Sequence, residues 1–255
     1  MNDPIATAKR VLETMSITGI PAESLKEIAR REGIKCKFEN FPEDAGLEGL
    51  LVSKGGKWAI VVNTCIDNPG KHNFTFAHEL GHYFLKHPLG LHKDGQDMIR
   101  CSPEDIKQER SPQEAEANRF AVELLMPEER FRLSMAGAPI DFDLIASLST
   151  RYMVSKHACS NRIISLTKSP CIIIRTNNGN IQGYTASRSA RGFLQNLKRI
   201  PNGTAADKAI QDKKGQDIFV ECDAHAWLSR DIPGKLYECT HVHADSATAM
   251  TILKW

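Results

Sequence analysis

The run HNFTFAHELGHYFLKHP, residues 72 to 88, constrains this chain more than any other stretch. Phe74, Phe76, Ala77, Leu80, Phe84 and Leu85 place apolar groups on nearly every side of a helix, and a helix that is apolar all round belongs in a core. Into that core the sequence puts His78, Glu79 and His82. On a helix, i and i+4 share a face, so the two imidazoles can point at a common atom. Buried polar groups need partners, and neutral imidazole is a good ligand for Zn²⁺. Glu79 then stands beside the metal without touching it, where a carboxylate can take a proton from water; this is the logic of the H-E-x-x-H pattern of hydrolytic zinc sites. Two histidines of an ordinary amphipathic helix give the same string by chance, so the rest of the chain has to decide. Gly81, inside the helix, costs about 1 kcal/mol relative to Ala and marks a close approach, by a neighbouring strand or by the metal ligands.

A catalytic zinc usually takes three protein ligands and leaves a fourth position for water. His87 is poorly suited to be the third, because it lies on the same helix with its exit set by Pro88. The better candidate is in SPQEAEANRFAVELLMP, residues 111 to 127. Glu114, Ala117, Asn118 and Ala121 fall on one face at i, i+3, i+4 and i+7, a carboxylate followed by small residues that allow tight packing against the HELGH helix. Glu116 points away from that face.

Around these two segments the periodicities predict an α-rich block. Helical spacing covers residues 4 to 16 and 22 to 32, and a hairpin joins EGLLVS to KWAIVVN through Gly55-Gly56. The second of these strands is suited to align an extended substrate by β-addition. Residues 88 to 113 read as a long loop with one helical turn around PEDIKQER, and further helices are expected at 128 to 137, 142 to 152 and 155 to 167. After Pro170 the texture changes: CIIIRTNNGNIQGY reads as a hairpin, FLQNLKRI as helical, and DIFVECDAHAWL and KLYECTHVHADSATAMTILKW as β-rich. A second domain is therefore expected to begin near residue 169.

Composition excludes some functions. Lys and Arg number 33 against 31 acidic residues, a formal net charge of +2, which gives no reason to expect a nucleic acid as a global partner. No apolar stretch has the length of a membrane span or a signal peptide, so no membrane partner is expected and the location reads as cytoplasmic. Seven Cys without a C-x-x-C pair read as reduced thiols. Residues 166 to 215 hold nine Lys or Arg and two Asp, read first as a solvated basic face. Cys222, His225, Cys239, His241 and His243 lack the spacing of a zinc ribbon and read as ordinary strand residues.

FTFAHELGHYFLKH followed by EAEANRFAVELLMP resembles the ImmA/IrrE family of zinc metallopeptidases, and the likeness extends over about residues 16 to 167; Asn73 departs from an expected Arg. The resemblance implies an α+β protein: a zincin-like, α-rich metallopeptidase domain with a small β-sheet over residues 1–168, then a smaller mixed α/β domain over 169–255. A GAF-like sensory fold, as in the radiation-response branch of the family, is the form expected of that second part, with a regulatory or substrate-selecting role. Carried over by position, the pattern implies one Zn²⁺ per chain on His78, His82 and Glu114, Glu79 as general base, and Asn118 behind the metal, orienting a ligand. Zinc acidifies its water, Glu79 accepts the proton and later returns it to the leaving amine. An oxyanion donor stays open among His72, Tyr152 and His157. The implied activity is endopeptidase cleavage of a transcriptional repressor, typically a helix-turn-helix protein. Two alternatives are a metal-binding regulator that sequesters a transcription factor without cutting it, and a DNA-binding protein acting through residues 144–167, where two helices flank a short turn. Direct nucleic-acid binding is the less favoured, and the oligomeric state is open.

Overall fold

A computed structural model describes residues 3–42, 47–88, 90–91, 97–101, 111–243 and 247–255. The fold is α+β, and the chain divides into two compact units: Met1–Ser134 with Ser147–Ala158, and Met135–Ala146 with Cys159–Trp255. The sequence predicts one passage between domains, after residue 168; the second unit takes in Met135–Ala146 as well as Cys159–Trp255.

In the first unit, α1 (Pro4–Thr14) and α2 (Leu25–Arg31), the latter entered through a 3₁₀ turn at Pro21–Ser24, open the chain. They lead into β1 (Ile34–Glu39), β2 (Gly49–Lys54) and β3 (Lys57–Asn63). Gly55 and Gly56 both take positive φ, the backbone that a two-residue hairpin turn demands, and β2 pairs antiparallel with β3 from Lys54↔Lys57 to Gly49↔Val62. Strand β1 goes beyond the sequence expectation, although Ile34, Cys36 and Phe38 alternate; it lies parallel to β3 along its other edge. With β4 (Gly90–Leu91) and β5 (Asp97–Cys101), the sheet order is β1-β3-β2-β5-β4. Both edges of β3 are thus occupied, which rules it out as a platform for β-addition. The residues read as a loop from 88 to 113 contribute these last two strands, and the turn expected at PEDIKQER lies outside the described residues.

Two helices carry the candidate site. Helix α3 (Pro69–Leu85) starts at Asn68, whose side chain accepts the Lys71 N–H, with Pro at the first position where its missing donor costs nothing. Helix α4 (Pro112–Leu125) repeats the device: Ser111 Oγ accepts the Glu114 N–H. A Cβ at Gly81 would lie 3.1 Å from the Cα and carbonyl oxygen of Ala117, so the glycine admits α4 rather than a strand. Next come α5 (Glu128–Met135), α6 (Phe142–Arg151) and α7 (Lys156–Leu166).

The second unit is sheet-rich. β6 (Cys171–Asn177) and β7 (Asn180–Ala186) form the expected hairpin through Asn178-Gly179, both at positive φ. With β8 (Gln216–Cys222), β9 (Leu236–Val242) and β10 (Thr248–Lys254) they make an antiparallel sheet of order β7-β6-β10-β9-β8. Cys171 to Ile174 are all buried, so β6 is covered on both faces. FLQNLKRI is not helical. Leu194 bridges Leu228, the Gln195 N–H reaches the Trp227 carbonyl, and Pro201 disfavours the α conformation just before it. Helices form instead at α8 (Ala205–Gln211) and α9 (Ala224–Trp227).

Candidate metal centre

His78, Glu79 and His82 are each at most 1% exposed, on the part of α3 that meets α4. Opposite them, Glu114 occupies the third position of α4, in the first turn, where the helix dipole favours an anion. Its two carboxylate oxygens lie 3.0 Å from His78 Nε2 and 3.4 Å from His82 Nε2, and the two imidazole Nε2 atoms are 2.9 Å apart. Among the described residues these three are the one group of donors arranged to hold a metal ion.

Hydrogen bonds behind the group fix what faces its centre. Asn118 Oδ1 lies 3.0 Å from His78 Nδ1, so that nitrogen donates and Nε2 is the atom turned toward Glu114 and His82. The His82 Nδ1 is likewise engaged, 2.8 Å from Nδ1 of His87. Three ligand atoms, His78 Nε2, His82 Nε2 and a Glu114 oxygen, therefore converge, and a cation between them takes the place of the proton that His78 and Glu114 share. The separations suit one: donors about 2.0–2.1 Å from a tetrahedral zinc stand roughly 3.3 Å from one another.

The ionisation of the group follows from the same crowding. Burial opposes a proton on His78, but the carboxylates of Glu114 and Glu79 outweigh it and raise the pKa. For His82 burial wins and lowers the pKa to about 4, leaving a neutral imidazole. Burial pushes Glu114 upward, yet His78 and His82 together outweigh it and bring the pKa down to about 2, so Glu114 is an anion at neutral pH. A cation at the centre meets one carboxylate and two imidazoles.

Glu79 meets the sheet at β2. A Cβ built on Gly49 of β2 would stand 2.5 Å from Glu79 Oε1 and 2.6 Å from the Thr75 methyl, so the strand approaches the carboxylate as closely as a glycine allows. The sequence carries no signal for that contact, since Gly49 looks there like an ordinary strand residue. Nor does it announce the engagement of Glu116, whose Oε2 lies 3.1 Å from His87 Nε2 although the residue faces away from Glu114.

The remaining candidates find different places. Tyr152 shares a hydrogen bond with Ser134 at 2.9 Å, and His72 Nε2 sits 2.8 Å from the Ile66 carbonyl, so both serve local structure; His157 is exposed. Asn73 donates to the Met153 carbonyl at 2.8 Å. Cys239 Sγ donates to the Gln216 carbonyl, and burial pushes the thiols of Cys159, Cys171 and Cys222 up to about 12, far from a nucleophilic thiolate. A cleft of about 710 Å³ in the second unit, walled by Lys208, Cys222 and Glu238 among others, contains none of the ligand residues.

The donor set and the two helices that present it define a candidate metalloprotein. A family model described as IrrE N-terminal-like domain, Peptidase_M78, matches residues 29–163, more than half of the chain, and the chain belongs to that family. Among solved structures it is similar to a Mycobacterium tuberculosis transcriptional regulator, with a TM-score of 0.58 and 19% identity over 100% of this chain and 76% of that one. No curated protein matches the chain. Among the described residues no helix is long and apolar enough to cross a membrane.

Proposed function

We propose that this protein is a cytoplasmic zinc-dependent endopeptidase that cuts a transcriptional repressor of the helix-turn-helix type at one site. The observation that carries the chemistry is the convergence of His78 Nε2, His82 Nε2 and a Glu114 carboxylate, with the fully buried Glu79 next to His78 on the same helix. His78, His82 and Glu114 would hold one zinc, and Asn118 would keep the His78 ring turned toward it. When bound, zinc acidifies water toward neutrality and polarises a carbonyl oxygen. Glu79 accepts a proton from the attacking water and delivers it to the departing amine. Its seat against Gly49 restricts where that carboxylate can swing, which keeps it within reach of both protons.

The target class rests on the family likeness, and it agrees with the fold neighbour being described as a transcriptional regulator. Residues 169–255 are read as the part that selects the substrate or responds to a signal. A chain that only sequestered a regulator would have no use for a base beside its ligands, and Glu79 favours the enzyme for that reason.

Glu79→Gln keeps the size of the side chain but cannot accept a proton, so it should retain close to one zinc per chain and lose about 10²- to 10⁴-fold in turnover. New protein amino termini, compared by mass spectrometry between cells carrying wild type and Glu79→Gln, identify the target. One or very few differences are expected. Identical termini in the two strains, or normal turnover in the variant, overturn the reading.

A further inference from the structure

His87 is the third histidine of the run and stands outside the ligand group, yet the backbone brings it back to the site. Helix α3 closes with Lys86 in the left-handed conformation, φ 57° and ψ 44°. The Lys86 N–H donates to the Tyr83 carbonyl at 3.1 Å and the His87 N–H to the His82 carbonyl at 3.0 Å. This paired closure is the Schellman motif, and it folds the residue after the cap over the last turn. As a result the rings of His82 and His87 meet edge to face, centroids 4.9 Å apart, with their Nδ1 atoms at 2.8 Å.

Which nitrogen holds the proton follows from the far end of the chain of contacts. A Glu116 carboxylate can only accept, so His87 Nε2, 3.1 Å away, carries a hydrogen and donates it. With its hydrogen on Nε2, His87 offers Nδ1 as an acceptor. His82 must supply the hydrogen from its own Nδ1, and its Nε2 is left with a lone pair aimed at His78 and Glu114. We propose that His87, held by Glu116, is a positioning residue that fixes the tautomer and ring orientation in which His82 binds a metal. This rests on the metal reading given above and deepens it. His78 has its own support in Asn118, so each ligand imidazole is held from behind by a different residue.

Zinc dissociation constants, measured by competition with a fluorescent chelator, test the inference without reference to cleavage. His87→Phe removes the acceptor and should weaken binding about 10- to 100-fold. His87→Gln restores an acceptor for His82 and a donor for Glu116, and should return the affinity to within about threefold of wild type. Glu116→Ala should weaken binding by less than His87→Phe, and the double variant should be no weaker than His87→Phe alone, since Glu116 acts through His87. In the metal-free wild type, ring ¹⁵N–¹H correlation spectra should show the His82 hydrogen on Nδ1. Circular dichroism melts keep loss of fold apart from loss of affinity, and Glu116→Ala against Glu116→Gln repeats the comparison should Phe at 87 not be accommodated. Wild-type affinity in both His87→Phe and Glu116→Ala, or a His82 hydrogen on Nε2, overturns the inference and leaves the metal reading standing. A wild-type chain that takes up no zinc overturns both.

Discussion

Glutamates are buried in both units of this protein, and the company kept by two of them, Glu238 and Glu114, differs. Glu238, on β9, is 1% exposed and surrounded by donors: it accepts the Ala205 N–H at 2.5 Å and the Trp227 indole N–H at 2.9 Å, with Ala206 beside them. Glu114 is 8% exposed and meets two imidazoles whose other nitrogens are already committed. Around Glu238 the protein supplies backbone and indole N–H donors; around Glu114 it supplies imidazole nitrogens that a metal ion can share. The first arrangement binds β9 to the start of α8 and to α9, whereas the second brings together the atoms that can share a metal ion. Burial of a carboxylate is therefore silent on function until the donors around it are counted.

Substituting the two glutamates in parallel should pull their effects apart most widely. Glu114→Ala deletes one of three donors, so zinc affinity should fall by more than the roughly 100-fold that outer contacts are worth, with activity lost alongside. Glu238→Ala should leave zinc affinity unchanged. It strands buried N–H groups at about 1–3 kcal/mol each, for a loss on the order of 2–5 kcal/mol and a Tm lower by about 5–15 °C. Chelator competition and thermal melts on both variants decide it; a Glu238→Ala protein that loses zinc would show the two sites to be linked.

A smaller effect is expected where the sheet touches the base. Gly49→Ala places a methyl 2.5 Å from Glu79 Oε1 and 2.6 Å from the Thr75 methyl, so something has to shift. Overpacking of this kind costs about 1–3 kcal/mol. Because Glu79 is displaced while the ligands are not, turnover should drop about 10-fold with zinc stoichiometry intact. Loss of zinc in Gly49→Ala would mean that Glu79 and the ligand group move together, and that the base is not held separately.

The site is legible in the sequence where chemistry follows helical spacing. His78 and His82 share a face by i, i+4, and Glu114 and Asn118 repeat that step on α4; the two hairpins are legible from Gly-Gly and Asn-Gly. What escapes depends on backbone conformation that the residues do not advertise. Glu116 sits two positions from Glu114, on a different side of α4, so only a residue arriving from elsewhere can connect it to the site. His87 arrives because Lys86 adopts a left-handed cap, and a cap with Lys where Gly is usual leaves no mark in the sequence. Likewise β1 pairs in parallel with a strand beyond its neighbour in the chain, a long-range choice no local pattern fixes.

The smallest prediction separates the two glutamates by the sign of their pH dependence in the chelated protein. Glu114 has a folded pKa of about 2, below its ordinary 4.5, so its contribution is fully present above 4.5 and is lost as pH falls from there through 2. Glu238 runs the other way. Burial raises its pKa above the ordinary 4.5 against the pull of its N–H partners, so its contribution is present below 4.5 and is lost as pH rises through the folded value. Compared with Glu114→Gln, wild type should lose Tm on acidification below 4.5; compared with Glu238→Gln, it should lose Tm as pH rises above 4.5. Bound zinc should abolish the first trend until the metal is displaced by acid and leave the second untouched, since only Glu114 faces the ion. Parallel slopes for the two variants would show that burial does not outweigh the N–H partners at Glu238, and the contrast between the two sites would fail.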